Sequence, residues 1–234
     1  MRIVVNHLTR MGSPRICVAG IDPGTLEHVR PTTPPTDLIT RRLLRENGGP
    51  FRVGASVELG PVVPRPTPPE TEDHGFHTHR ATHVEDLPAD EFLSLLEAVS
   101  APTLSAAFGP DLERIRWKYA VDPGCGSCSL AVVPIRGRPV LEVDDRYGRL
   151  QLQLDDPAGR TYLGVTDVRM FEEDQATPSR EIVTEVARRL RKGVDGYLML
   201  GLARAYKAPN DDRERHWLQL NGIVLADRPV GDQP

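Results

Sequence analysis

Apolar residues in this chain come in short runs, many alternating with polar residues at a period of two, a pattern that predicts strands more often than helices. Ile3-Val4-Val5 starts a short strand. Arg15 to Asp22 (RICVAGID) is nearly all apolar and predicts a second strand buried on both faces. Pro23-Gly24 turns the chain, and Glu27 to Arg30 returns as its hairpin partner. From about Asp37 to Asn47 the stripe Ile39, Leu43, Leu44 predicts a helix, capped by Thr36 or Asp37 and stopped by Gly48-Gly49. Ala55 to Leu59 is another strand, with room for a fifth around Val62-Val63. The five prolines of Pro61 to Pro69 (PVVPRPTPP) exclude a helix or a central strand and predict an extended connector.

Residues 70–85 are polar and rich in histidine. Asp90 to Val99 then predicts a short helix with Phe92, Leu95, Leu96 and Val99 on one face. Thr103 to Ile115 holds a second helical segment broken by Gly109-Pro110. In the C-terminal half, Ser129 to Ile135 and Pro139 to Asp144 are strands. Leu150, Leu152 and Leu154 alternate with Gln151 and Gln153, the mark of a half-buried strand with one wet face. Thr161 to Phe171 is a long strand kinked at Gly164. Pro178 to Lys192 is a helix with Thr177 as its cap, a stripe of Ile182, Val183, Val186 and Leu190, and Gly193 as its stop. Tyr197 to Tyr206 and Trp217 to Leu225 are the last two strands. Strands, one helix and two further strands are the order of an OB barrel, a small, partly open five-stranded barrel. The expected fold is a β-rich α+β chain with two OB-like small β-barrels joined by a helical connector. The boundaries are 1–69 for the first barrel, 70–120 for the His-rich loop and connector, 121–228 for the second barrel and 229–234 for a tail.

Composition narrows the function classes. At 234 residues the chain can bury a core without disulfide or metal staples. A net charge of −4 argues against a protein that coats nucleic acid by bulk charge, so a nucleic-acid site has to be a local patch. Three cysteines, Cys17, Cys125 and Cys128, suit a reducing compartment. The N-terminal apolar run is too short for a signal peptide, and no stretch approaches the roughly 20 apolar residues of a membrane span, which makes the cytoplasm the expected location.

Three runs carry a family resemblance: VVNHLTRM…RICVAGID…HVRP, then ENGGPFRVGASVELGPV…PPETEDH, then YLMLGLARAY…HWLQLNGI. Together they resemble the bacterial dual OB-containing domain family, over about residues 2 to 226. The resemblance implies two OB-like barrels and nucleic-acid binding, in a setting of anti-phage or mobile-element genes. It carries over no catalytic residue.

OB barrels take single strands by stacking bases on aromatic rings and tracking phosphates with Lys and Arg. Between residues 178 and 207 seven basic residues face three acidic ones, a local excess of four. Arg169, Arg189, Arg204, Lys207 and Trp217 are the expected contact surface, and Arg15 and Arg30, with Arg41 and Arg42, a second one on the first barrel. The bland alternative for each is a solvated arginine or a core tryptophan. His74, His77, His79 and His83 have a spacing that could chelate a metal, against the alternative of a solvated loop. Cys125-Gly126-Ser127-Cys128 is a CxxC, but it precedes a strand rather than a helix, the wrong setting for a redox pair. Asp22, Asp144, Asp145, Asp155, Asp156 and Asp167 raise a metal-dependent nuclease, although most fall in turns, where Asp is favoured anyway. The expectation is a non-catalytic binder of single-stranded DNA or RNA with no cofactor. The alternatives are an accessory subunit docking on an effector enzyme encoded nearby, and a metal-dependent hydrolase.

Overall fold

A computed structural model of the chain describes residues 1–144, 148–209 and 211–234. The first strand, β1 (Arg2–Arg10), is buried over most of its length because it has a core on both sides. It pairs antiparallel with β2 (Ile16–Ile21) and with β4 (Ala55–Glu58). β3 (His28–Thr32), β5 (Val63–Pro64), β6 (Asp73–Gly75) and β7 (Thr82–Asp86) complete a seven-stranded sheet of order β5-β6-β3-β2-β1-β4-β7. The β3–β6 pair is parallel. The register of β1 against β2 slips between Val5 and His7, leaving Asn6 as the extra residue of a β-bulge.

Two helices follow, α1 (Ala89–Val99) and α2 (Leu104–Phe108). α2 is capped by the Thr103 hydroxyl, which accepts from the Ala106 N–H, and ends at Gly109 with φ 75°. Then come β8 (Glu113–Ile115), β9 (Lys118–Val121), β10 (Leu130–Pro134), β11 (Val140–Val143), β12 (Leu150–Asp156) and β13 (Gly159–Val165). Helix α3 (Arg180–Lys192) lies between β13 and β14 (Gly196–Leu202), and β15 (Tyr206–Lys207) and β16 (Glu214–Leu225) end the sequence of elements. The second sheet runs β10-β14-β16-β13-β12-β11, with β15 and β9 also paired to β16 and β8 to β9. Among the described residues, only its β13–β16 pair of strands is parallel. α3 buries Val183, Val186 and Leu190 against Leu141, Leu152 and Leu163 of this sheet, the face its stripe predicts. No helix among the described residues is long and apolar enough to cross a membrane.

The chain is β-rich with few helices, as its periodicity predicts, but its strands form two open sheets rather than closed barrels. The interruptions have a local cause. β10 and β11 are separated by a turn containing Gly137 at φ 66° and flanked by Pro134 and Pro139, and β4 and β5 by Gly60 at φ 74° and Pro61. Proline supplies no donor, so the ladder stops there. The helix expected over Asp37 to Asn47 is instead two single 3-10 turns, Arg41–Leu43 and Arg45–Asn47, with Leu44 extended between them. Phe51, fully buried, donates its N–H to the Leu43 carbonyl and accepts from the Arg45 N–H, and that pairing across Leu44 outcompetes one continuous helix. The first sheet also runs past residue 69, since β6 and β7 come from the His-rich stretch.

The two sheets are knit together. Val132, Val168, Met199 and Val224 from the C-terminal half sit in the first core, and α1 packs there through Phe92 and Leu96. Arg10 N–H donates to the Thr166 carbonyl at 2.8 Å. Four consecutive residues, Glu70 to Asp73, fasten the rest. Glu70 pairs with Arg204 at 3.1 Å, and the Thr71 hydroxyl donates to the Ser127 carbonyl at 2.8 Å. The buried Glu72 carboxylate accepts from the N–H groups of Ser129 and Leu130 and from the Ser129 hydroxyl at 2.7–2.9 Å. Asp73 takes Arg30 at 2.5 Å and Arg204 at 2.7 Å.

Candidate functional site

A cleft of about 440 Å³ opens along this seam. β1, β2 and β3 form one wall, with His7, Thr9, Arg10, Cys17 and Arg30, and β14, β16 and the segment after β14 form the other, with Leu202, Arg204, Gln219 and Asn221. Arg10, Arg15, Arg30 and Arg204 all line it, and no carboxylate does among the described residues. Arg30 is buried and fixed by Asp73. Arg204 is held by Asp73 and Glu70, yet half its side chain stays exposed. Arg10 lies 4.1 Å over the Phe171 ring and donates to the Gln175 carbonyl. Arg15 is exposed on the turn before β2 and has no side-chain partner among the described residues.

Two β-bulges shape the walls, one from each sheet. The first sits at Asn6 beside His7. The second is at Asn221, where β16 pairs Gly222 with Met199 and Leu220 with Leu200. The Asn221 amide lies over Gly201, where a Cβ would come within 2.0 Å of its Nδ2, so only glycine leaves it room. Thr166 holds the other end of that amide by donating to Oδ1 at 3.1 Å.

Buried polar atoms without a partner among the described residues gather at this cleft: both ring nitrogens of His7, the Thr9 hydroxyl, Arg10 Nε and Arg30 Nη2. Burial, reinforced by His28 and Arg30, holds the His7 imidazole well below its ordinary pKa, so the ring is neutral. Its neighbour His28, edge-on with centroids 5.6 Å apart, is pushed down to about 4 by burial. The same desolvation raises the Cys17 thiol.

A second depression, a groove of about 880 Å³, crosses the face of the second sheet. The β8–β9 hairpin turn brings Arg116 and Trp117 to its edge, facing Tyr162 on β13 and Trp217 on β16. Trp117 is 56% exposed. Arg116, Lys118 and Arg149 line the groove, but so do Glu142, Asp144 and Asp211, so its charge is balanced. Burial, with help from Arg149, lowers the Lys118 pKa. Trp217 belongs to the groove and Gln219 and Asn221 to the cleft, so the two depressions neighbour one another along β16.

The expected site residues separate accordingly. Arg15, Arg30 and Arg204, assigned from sequence to two different surfaces, meet in the cleft. Lys207 is exposed on β15. Three do not lie on an open surface. Arg169 is buried, clamped bidentate on the fully buried Asp167 at 2.7 and 2.9 Å, and donates to the Ile223 carbonyl. Arg189 is buried against Asp227 and the Pro234 carbonyl, tying α3 to the C-terminus. Trp217 is only 7% exposed, and its Nε1 has no partner among the described residues. Of the second arginine surface, Arg41 turns away to Glu46 and the Glu172 carbonyl.

The histidines diverge. His74 meets the Glu72 carbonyl, His77 and His79 lie side by side at 5.7 Å, and His83 pairs with Asp86. Among the described residues no three His, Cys, Asp or Glu side chains are placed to hold a metal. Asp22 holds the β2–β3 turn, Asp156 meets Arg114, and Asp167 is spent on Arg169; Asp145 lies outside the described residues. Cys128 donates to the Ala107 carbonyl, and burial, then Glu72, raise its pKa to about 11, the reverse of an activated thiol.

Sequence reasoning missed His7, Thr9 and Arg10, although polar residues interrupting an otherwise apolar strand signal a special face. It also missed Trp117, which sits on a hairpin of three- and four-residue strands too short to show a period. No family model, curated protein or solved structure matches this chain.

Proposed function

We propose that the chain binds single-stranded nucleic acid without cutting it, seating phosphate on Arg10, Arg15, Arg30 and Arg204. The observation that carries this reading is that four arginines from both halves line one cleft with no lining carboxylate among the described residues, in a chain of net charge −4. Topology supports it. Counting β10 and β11 as one interrupted strand, the second half has the order first, second, third, fifth, fourth, with α3 between the third and fourth and the third and fifth parallel. The first half follows the same order if β4 and β5 are one interrupted strand, with β3 and β6 the parallel pair. We read that order as OB-like, and in OB folds the second and third strands and adjoining loops take oligonucleotides. On this count the cleft lies on β2 and β3, and the groove on β12 and β13.

Titration of the full chain with labelled single-stranded and duplex DNA and RNA at two salt concentrations tests the reading. Single strands are expected to bind more tightly than duplex, and affinity to fall steeply with salt, by about 0.7 in log–log slope per phosphate contact. Arg15→Ala with Arg204→Ala is expected to flatten that slope. Absence of binding at low salt overturns it. The groove favours a second reading: balanced charge around exposed Trp117 suits a protein partner, since tryptophan is enriched at interfaces. Such a partner, one encoded nearby, would co-purify with wild type and be lost with Trp117→Ala.

A further inference from the structure

We infer that the cleft is a receptor for one nucleotide bearing a terminal phosphomonoester, either free or at the end of a strand. The inference rests on the nucleic-acid reading and adds what the site selects. Size comes first. About 440 Å³ is within the range of small-ligand pockets and is half the volume of the neighbouring groove.

Charge comes second. Arg204 is paired with Asp73 and Glu70 and Arg30 with Asp73, whereas Arg15 has no carboxylate ion-pair partner among the described residues and Arg10 has only the electrostatic pull of Asp174. The cleft keeps an excess of positive charge, which suits a phosphomonoester, approaching −2 near neutral pH, better than the single charge of an internal diester. Guanidinium forks also fit phosphate oxygens pairwise.

The wall chemistry comes third. Ile16, Leu38, Ile39, Leu130 and Leu202 give the cleft apolar sides suited to the faces of a ring. Among them sit neutral hydrogen-bonding groups: the His7 imidazole, the Thr9 hydroxyl and the Asn221 amide. His7 and Thr9 are nine-tenths or more buried and have unpartnered polar atoms. A buried polar group left unpaired costs about 1–3 kcal/mol, and two such residues with Arg30 Nη2 on one wall are explained by a ligand that supplies their partners. A base presents neutral donors and acceptors on its edge, and bulges commonly re-aim side chains at such sites.

The test is calorimetric titration of the full chain with nucleoside 5′- and 3′-monophosphates of each base, with unphosphorylated nucleosides and with inorganic phosphate. A parallel fluorescence titration uses oligonucleotides with and without a terminal phosphate. At least one monophosphate, or the phosphorylated oligonucleotide end, should bind tenfold or more tightly than its unphosphorylated counterpart, and tenfold or more tightly than inorganic phosphate. Preference for the free monophosphate identifies a free nucleotide as the source; preference confined to the oligonucleotide identifies a strand end. Arg15→Ala and Thr9→Val should each lose tenfold or more, with Val84→Ala on the exposed face of β7 unchanged. Circular dichroism checks that each variant is folded, and exposed Arg15 keeps the test open if Thr9→Val misfolds. Phosphorylated and unphosphorylated oligonucleotides binding equally, with no mononucleotide bound, overturns this inference and leaves the strand-binding reading standing. Inorganic phosphate binding as tightly as any nucleotide also overturns it. Binding of nothing overturns both.

Discussion

Arg169 illustrates how far a charged residue's role depends on its neighbours. Its guanidinium neutralises Asp167 in a place where neither is solvated. Arg169→Met should therefore lower unfolding free energy by about 3–5 kcal/mol, because it strands a buried carboxylate. Chemical denaturation measures this, and nucleic-acid affinity of the folded fraction should not change. The pair His7 and His28 predicts a pH dependence. Burial depresses both pKa values, so the unfolded chain takes up protons first as pH falls. Their contribution is complete above the unfolded value near 6.5 and is lost progressively toward about 4. The unfolding free energy from urea titration should drop across that window by an amount on the order of 2 kcal/mol, and His28→Gln should flatten the drop.

At the level of elements, Gly201 and Asn221 form a unit. Gly201→Ala should destabilise by about 1–3 kcal/mol, since its new methyl meets an amide held on the other side by Thr166. Asn221→Ala should relieve most of that penalty, giving a non-additive double-mutant cycle in thermal melts. Elements of this kind divide cleanly by legibility. α1, α3, β12 and β16 were readable because each is long enough for its period to show, whereas the strands expected over 161–171 and 197–206 end at Val165 and Leu202. β6, β7 and the β8–β9 hairpin were not, being three to five residues long, and β6 and β7 are polar with pairings set by distant strands. The segment 37–47 misled for the opposite reason: its apolar spacing is helical, but its backbone is claimed by Phe51. As for the site, Arg15, Arg30 and Arg204 could be named from sequence, while their meeting could not, because residues 70–73 draw the halves together through contacts that no local pattern encodes.

The whole molecule should behave as one cooperative unit. Separating residues 1–120 from 121–234 would uncover Val132, Met199 and Val224 and leave the Glu72 carboxylate facing its lost amides. Calorimetry of the intact chain should show one transition, and neither half alone should give the protected amides of a folded sheet; two independent transitions would refute this. The fastening by Glu70 to Asp73 has one more consequence. Because Arg204 is pinned from the opposite half and also lines the cleft, whatever occupies that space grips both halves at once, like a clasp across a book's two covers. Occupancy at a hundred times the dissociation constant would add about 2.7 kcal/mol to the native state. A simple melting screen with candidate compounds can thus find the natural occupant before any activity is known.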